Sequence, residues 1–129
     1  MPRPIKYPAL YEELTYTLIG IGFSIHKELG PIHKEQVYQN AFARELTDNS
    51  IPFNQETRLP VLFKGLPVGV YVPDFVIDNK IILELKAVDI LPTTAGTQLN
   101  YYLKATGYKI GLLLNFGSSR LQVRRRIYG

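Results

Sequence analysis

Residues 72–88 read VPDFVIDNKIILELKAV, two apolar runs rich in Val, Ile and Phe that charged side chains interrupt. Such residues favour β-strands, and Asp78-Asn79-Lys80 between the runs is typical of a hairpin turn. A three-residue turn pairs Ile77 with Ile81 and sets Asp74 directly opposite Glu84. The stretch therefore predicts an antiparallel hairpin that carries two facing carboxylates.

The predicted register has a chemical consequence. Directly opposite residues on one face of an antiparallel pair have Cβ atoms about 4.5–5.5 Å apart. Asp74 and Glu84 would repel at that distance unless one is protonated or a cation lies between them. Lys86 points to the same face as Glu84 because side chains alternate with a period of two. The hairpin thus predicts a divalent-metal site beside an ammonium group, which suits metal-assisted hydrolysis of phosphodiesters.

An alternative register would remove this site. A two-residue turn would move Asp74 to the face opposite Glu84. The hairpin would then be an exposed edge, with Lys86 pairing the acids in solvent. The residue pattern alone leaves both arrangements open.

Length and composition favour one domain over residues 1–129, with 46% hydrophobic residues and no cysteine. The absence of cysteine excludes disulfides and thiol chemistry and suits a reducing compartment. The apolar run at 14–25 is too short and too interrupted to span a bilayer. We therefore expect a cytoplasmic protein without a membrane span, in which residues 1–9 form an extended N-terminal arm.

The net charge of +4 mildly favours polyanionic partners. Four arginines lie in the last ten residues, at Arg120, Arg124, Arg125 and Arg126. A strand there could contact phosphates. It could equally be a solvated edge strand whose arginines block aggregation.

Hydrophobic periodicity predicts the element order α, α, β, β, β, α, β, β, which indicates a mixed sheet with helices packed against it. A helical face ends at Gly30-Pro31, and close packing is the expected reason for Gly20 and Gly22 within that helix. Further elements are predicted at 34–47, 56–63, 68–77, 81–88, 108–116 and 120–127. A third helix is predicted to open at 92–94, with Thr93 or Thr94 as its cap, and to run to Ala105. The run at 110–114 is apolar throughout, as expected of a strand buried on both faces.

Three further residues are candidates for the site. Glu35, in the first turn of the second helix, either complements the helix dipole or supplies a third carboxylate. Gln98 and Tyr102 share one face of the third helix and could border the site, although Tyr102 could also be a core aromatic. The two histidines, His26 and His33, have no metal-ligand spacing with each other. His33 could lie near Glu35 at the start of the second helix, but placement at the surface is favoured.

Pro73-Asp74 followed by Glu84-Leu85-Lys86 resembles the PD-(D/E)xK signature of the restriction-endonuclease-like nucleases. The chain from about residue 14 to 126 is similar to the GxxExxY proteins, a bacterial and archaeal branch of that superfamily. The segments that carry the resemblance are 26–31 (HKELGP), 35–38 (EQVY), 82–87 (ILELKA), 98–107 (QLNYYLKATG) and 111–117 (GLLLNFG). One departure is Ile32, since the family motif has Gly three residues before its Glu.

The resemblance implies an α/β fold with a restriction-endonuclease-like core, a mixed central β-sheet flanked by α-helices. It implies metal binding by Asp74, Glu84 and the backbone carbonyl of Leu85, with Glu35 as the helix-borne acid of the family name. Gln98 and Tyr102 match the Gln-x-x-x-Tyr helix motif of RecB-like nucleases, which makes them catalytic candidates beside Lys86.

We therefore expect a nuclease dependent on Mg²⁺ or Mn²⁺ that acts on nucleic acid, on DNA in preference to RNA, with low sequence specificity. Its Lys86 would orient or help deprotonate the attacking water, or stabilise charge in the transition state. The alternative is a nuclease-fold module that binds nucleic acid or protein without turnover. Whether the chain forms a homodimer or needs another protein partner is left open.

Overall fold

The computed structural model describes residues 9–129, so the arm expected at residues 1–9 lies outside the described residues apart from Ala9, which is already helical. The described part contains α1 (Ala9–Leu29), α2 (Glu35–Asp48), β1 (Phe53–Gln55), β2 (Leu59–Phe63), β3 (Leu66–Tyr71), β4 (Phe75–Ile77), β5 (Ile81–Lys86), α3 (Ala95–Thr106), β6 (Ile110–Asn115) and β7 (Gln122–Ile127). Within this range we find no helix long and apolar enough to cross a membrane.

Five strands form a central sheet in the order β1-β4-β5-β6-β7, and β2 and β3 form a separate hairpin. The β5–β6 pair is parallel, and the other pairs of the central sheet are antiparallel. Helix α3 connects the two parallel strands, as a parallel crossover requires. The predicted mixed sheet flanked by helices is therefore confirmed.

Alternation along β5 divides the core into two layers. Leu83 and Leu85 pack with α1 and α2 in the larger cluster, which also contains Leu18 and Phe42. Ile82 packs on the other face of the sheet with α3 and the β2–β3 hairpin. Strand β6 is buried along its whole length, as the continuous apolar run predicted.

The predicted strand at 68–77 is wrong as a single element. Its first part belongs to β3 in the hairpin, and its second part is β4 in the central sheet. The two are separated by Val72, Pro73 and Asp74, where Pro73 has no N–H to donate to a continuing ladder. The break turns the chain from one sheet into the other just before Asp74.

Other element predictions need smaller corrections. Strand β1 was not predicted, and the strand expected at 56–63 begins at Leu59 because Glu56 has a left-handed backbone with φ 56°. Helix α3 begins at Ala95 after its N-cap Thr94, one of the two predicted caps, and β5 ends at Lys86 and not at residue 88. Close packing is confirmed for Gly22, where a Cβ would lie 2.8 Å from Leu114 Cδ1, but is wrong for Gly20, which has open space.

Candidate active site

The hairpin between β4 and β5 has the predicted three-residue turn. Ile77 pairs with Ile81, which continues the register so that Asp74 faces Glu84. Asp78 and Asn79 hold the turn with positive φ values of 50° and 54°, a conformation that short polar side chains tolerate. The alternative two-residue turn is therefore excluded, and the two acids share one face of the hairpin.

Two hydrogen bonds fix the facing carboxylates. The Asp74 backbone N–H donates to Glu84 Oε1 at 2.9 Å, and the Leu85 N–H donates to Asp74 Oδ2 at 2.7 Å. Each acid thus binds the backbone of the opposite strand through one oxygen. Charge-assisted bonds of this kind orient a carboxylate strongly. Within residues 9–129 the second oxygen of Asp74 makes no hydrogen bond, and the Tyr71 hydroxyl lies close enough to Glu84 to lower the pKa of that acid.

Ionising both Asp74 and Glu84 in this partly buried site costs free energy. Burial, and then the charge of Asp74, raises the pKa of Glu84 from 4.5 to about 7. Burial also raises the pKa of Asp74, against the lowering effects of the Leu85 N–H and of Lys86. Desolvation of an acid disfavours its ionised form unless positive charge compensates. The pair would therefore be stabilised by a bound cation.

Lys86 is half-buried on the same side of β5 as Glu84. The ion pairs that side chains make in residues 9–129 are Arg44–Asp48 and Lys80–Asp78, so Lys86 is not held by a salt bridge there. Its charge nevertheless lowers the pKa of both acids. The ammonium group thus lies close to the carboxylates without being bound to either one.

Glu35 opens α2 and is brought toward the hairpin. Burial, and then the charge of Asp74, raises its pKa, while Lys86 lowers it and Gln39 donates a hydrogen bond to Glu35 Oε1 at 3.1 Å. The position of α2 is fixed by Tyr38, whose hydroxyl donates to the Gly30 carbonyl. The sequence could not establish this proximity, because it depends on how α2 packs.

Gln98 and Tyr102 line a cavity of about 580 Å³ together with Lys86. Tyr102 is half-buried and stacks on Tyr71, with ring centroids 3.9 Å apart and planes inclined by 5°. Tyr102 was predicted either as a core aromatic or as a residue at the border of the site. Its ring packs on the smaller core cluster and also borders the cavity. Gln98 is exposed on the same helix face.

Sequence analysis missed Tyr71, the last residue of β3. Its side chain is 7% exposed, and its hydroxyl makes no hydrogen bond of normal geometry. Burial, and then the charge of Glu84, raises the pKa of this hydroxyl. A buried hydroxyl without a partner is uncommon and suggests a bond made to a ligand or water. The sequence did not indicate that Tyr71 lies near the acids. In the single strand predicted over 68–77, Tyr71 and Asp74 would be on opposite faces.

Replacing Tyr71 by phenylalanine tests whether this hydroxyl lacks a partner. A buried polar group left unpaired costs about 1–3 kcal/mol. We therefore expect Tyr71→Phe to raise the free energy of unfolding of the metal-free protein by about 1 kcal/mol, measured by urea denaturation. A loss of stability would instead show that the hydroxyl donates to the nearby Glu84 carboxylate.

The raised pKa of Glu84 predicts how stability depends on pH. The folded chain holds this proton more tightly than the unfolded chain does. The contribution to stability is thus complete below pH 4.5 and is lost as the pH rises through about 7. We expect the metal-free wild type to lose up to about 1.4 kcal/mol more per pH unit in that window than Glu84→Gln. Urea denaturation at several pH values measures this, and parallel profiles would contradict it.

Asn115 is a second residue that the sequence analysis missed. It is fully buried at the end of β6, and its amide holds Val88 by accepting from the N–H at 3.0 Å and donating to the carbonyl at 2.9 Å. It also donates to Gln122 Oε1 at 2.8 Å. These bonds fix the chain just after Lys86. A single polar residue in an otherwise apolar run was the available signal.

The structure shows where the two histidines and the C-terminal arginines lie. His26 is half-buried, with Nε2 2.8 Å from the Ser118 carbonyl oxygen. His33, expected at the surface, is only partly exposed, because its ring packs against Tyr38. Strand β7 is an edge strand. Arg126 lies over Gly96 on the α3 side, and Arg125 borders a pocket with residues of α1.

The donor set fits a hard divalent cation. Mg²⁺ and Mn²⁺ take oxygen ligands, and Mg²⁺ usually binds through one or two carboxylates and keeps several waters. Within residues 9–129 no three His, Cys, Asp or Glu side chains are grouped as a complete metal site. In this part of the chain the two carboxylates face each other, Asp74 keeps one oxygen free, and the adjacent Tyr71 hydroxyl makes no hydrogen bond of normal geometry.

Comparisons with known proteins agree with this geometry. The sequence model of the PD-(D/E)XK nuclease superfamily matches residues 12–127. A crystal structure of an alkaline exonuclease (LHK-Exo) from Laribacter hongkongensis aligns with a TM-score of 0.52 and 10% identity, over 73% of this chain and 56% of that one. A crystal structure of SSO0001 aligns with a TM-score of 0.50 and 18% identity, over 96% of this chain and 61% of that one. No curated protein matches the chain.

This chain spans less than two thirds of each of the two solved structures. At 10% and 18% identity the likeness concerns the fold. The match to the sequence model is of a different kind, because it covers both Asp74 and the Glu84-Leu85-Lys86 segment.

Proposed function

Because this chain belongs to the PD-(D/E)XK nuclease superfamily, we propose that it is a metal-dependent nuclease that hydrolyses phosphodiester bonds with low sequence specificity. One observation carries the proposal, namely the hairpin register that sets Asp74 opposite Glu84 with Lys86 on the same face. Two desolvated acids with a free ammonium nearby serve no evident purpose in stabilising the fold. They are the groups that metal-assisted phosphate chemistry requires.

The proposal assigns a role to each group. Asp74, Glu84 and the Leu85 carbonyl would hold Mg²⁺ or Mn²⁺, with Glu35 as a further ligand. When bound, the cation would polarise the scissile phosphate and acidify water. Lys86 would orient the attacking water and stabilise negative charge that develops on the phosphate oxygens.

Gln98 and Tyr102 would act on the substrate from α3. Both border the cavity that Lys86 also lines, which supports a contact with nucleic acid bound at the acids. Gln98 offers a donor and an acceptor, and Tyr102 offers a hydroxyl. We propose that they position the strand next to the scissile phosphate.

Within the superfamily we assign the chain to the GxxExxY branch. Tyr38 lies three residues after Glu35, and its hydroxyl bonds to the carbonyl of Gly30, which ends α1 with φ 70°. The glycine and tyrosine of such a motif would together fix the start of α2 and so place the glutamate. Ile32, in the position of the motif glycine, is 81% exposed and takes no part in this contact.

The second candidate is a nuclease-fold module that binds nucleic acid or protein without turnover. The reciprocal hydrogen bonds between the acids and the opposing backbone favour it, because they stabilise the carboxylates without metal. Fold alone does not establish activity. The two candidates differ in whether the wild type cleaves nucleic acid at all, and cleavage that depends on Glu84 would favour the nuclease.

A cleavage assay with Mn²⁺ on labelled single- and double-stranded DNA and RNA tests the proposal. We expect the wild type to cut at least one substrate, DNA before RNA, and Glu84→Gln, purified identically, to cut none. Equal cleavage by both would indicate a contaminating nuclease. Failure of the wild type to cut any substrate would favour the binding module.

A further inference from the structure

The cavity beside Lys86 is not needed for the chemistry assigned to the acids, yet it shares that lysine with them. Its volume is about 580 Å³, and it lies between the end of β5 and one face of α3. Its walls are mainly apolar and aromatic, formed by Val88, Leu91, Tyr101, Tyr102 and Leu113. Cavities of this size with apolar and aromatic walls are typical binding sites for small organic groups.

Among residues 9–129, the lining of the cavity includes polar side chains but no acid. Thr94, Thr97 and Gln98 supply hydroxyl and amide groups, and Lys86 is the one charged residue that this part of the chain contributes. A negatively charged strand can therefore approach the cavity without repulsion from its lining. Repulsion would come only from the acids, where a bound cation would cancel it.

Tyr101 gives the clearest indication of the occupant. Its side chain is 66% exposed, and it belongs to the lining of the cavity. An exposed aromatic ring next to an apolar cavity offers a stacking surface. Bases of single-stranded nucleic acid stack on such rings in a sequence-tolerant way, because every base has an aromatic face.

From this geometry we propose that the cavity receives an unstacked nucleobase next to the scissile phosphate, with Tyr101 as its stacking partner. The substrate is then a single strand or a frayed end, since a base inside an intact duplex is stacked and paired and costs a few kcal/mol to extrude. Apolar walls form few hydrogen bonds with the edges of a base, which agrees with low sequence specificity. This inference rests on the proposed nuclease function, because that function is what brings a phosphodiester to Lys86.

Binding measurements with Ca²⁺ in place of Mn²⁺ test the inference separately from catalysis, because Ca²⁺ also takes carboxylate ligands and would offset the charge of the two acids. Fluorescence anisotropy of the full chain would compare a labelled single-stranded oligonucleotide with a duplex of the same sequence closed by loops at both ends. We expect tighter binding of the single strand, and Tyr101→Ala should weaken it by about tenfold, the loss of one base–aromatic stack. Tyr101→Phe retains the ring and should stay within about twofold of wild type.

Tyr16→Ala is the matched control, because Tyr16 is 76% exposed on α1, away from the cavity. It should leave both affinities unchanged. The inference is overturned if Tyr101→Ala leaves single-strand binding unchanged, or if it weakens binding of single strand and closed duplex equally.

The cleavage assay separates the two proposals. If the wild type cuts the closed duplex as fast as the single strand, the cavity does not select the substrate, although the nuclease function stands. If single-strand binding depends on Tyr101 but no substrate is cut with Mn²⁺, the nuclease function fails and the base-binding site stands.

Discussion

Lys86→Ala should lower the rate of Mn²⁺-dependent cleavage by about 100- to 1,000-fold, the usual cost of removing one group that stabilises transition-state charge. Mn²⁺ affinity should be unchanged or slightly tighter, because Lys86 is a cation near the carboxylates that would bind the metal. Single-turnover cleavage and calorimetry on the same preparation measure the two effects. If Lys86 is catalytic, its substitution lowers the cleavage rate without weakening Mn²⁺ binding.

Lys80→Ala is the control for this experiment. Lys80 lies in the turn of the same hairpin, where it pairs with Asp78 at 2.7 Å. A partly exposed ion pair of this kind contributes about 0–1 kcal/mol to stability, so the variant should fold and cut as the wild type does. If Lys86→Ala cut at the wild-type rate, the role proposed for this lysine would be wrong.

Asn115→Ala should produce the largest loss of stability, about 3 kcal/mol or more by urea denaturation. The side chain is fully buried and satisfies the N–H and carbonyl of Val88, together with the side chain of Gln122. Truncation leaves several of these groups unpaired, and each buried unpaired group costs about 1–3 kcal/mol. The segment after Lys86 would also lose its anchor.

Asn100→Ala is the matched control, since Asn100 is exposed on α3. Its effect should stay within about 0.5 kcal/mol, as for most surface substitutions. If Asn115→Ala were no more destabilising than this control, the hydrogen bonds of Asn115 would not hold the chain after β5.

The hairpin could be predicted from sequence because its determinants are local. Asp78 and Asn79 tolerate the left-handed backbone that the turn needs, and a side-chain period of two then fixes which residues face each other. The predicted positions of Asp74 and Glu84 follow from this without any knowledge of distant residues. The fully buried β6 was predictable for a similar reason, since its apolar run is continuous.

The rest of the site depends on contacts between distant segments. Tyr71 reaches the acids only because the chain leaves one sheet and enters another at Pro73, which strand propensity does not reveal. Glu35 approaches them because Tyr38 ties the start of α2 to Gly30. The cavity forms only because α3 packs against the sheet next to β6. Hydrophobic periodicity in the sequence does not mark Tyr101 as an exposed ring beside it.

Metal binding between Asp74 and Glu84 is tested most directly by calorimetric titration of Mn²⁺ into the wild type and into Asp74→Asn. The titration is made at a pH above 7, where Glu84 is ionised. Asp74→Asn keeps the shape of the side chain and its capacity to accept from the Leu85 N–H, but it removes the charge. We predict saturable binding by the wild type and affinity at least about tenfold weaker in the variant. Equal affinities, or no binding by the wild type at millimolar Mn²⁺, would contradict a metal site between Asp74 and Glu84.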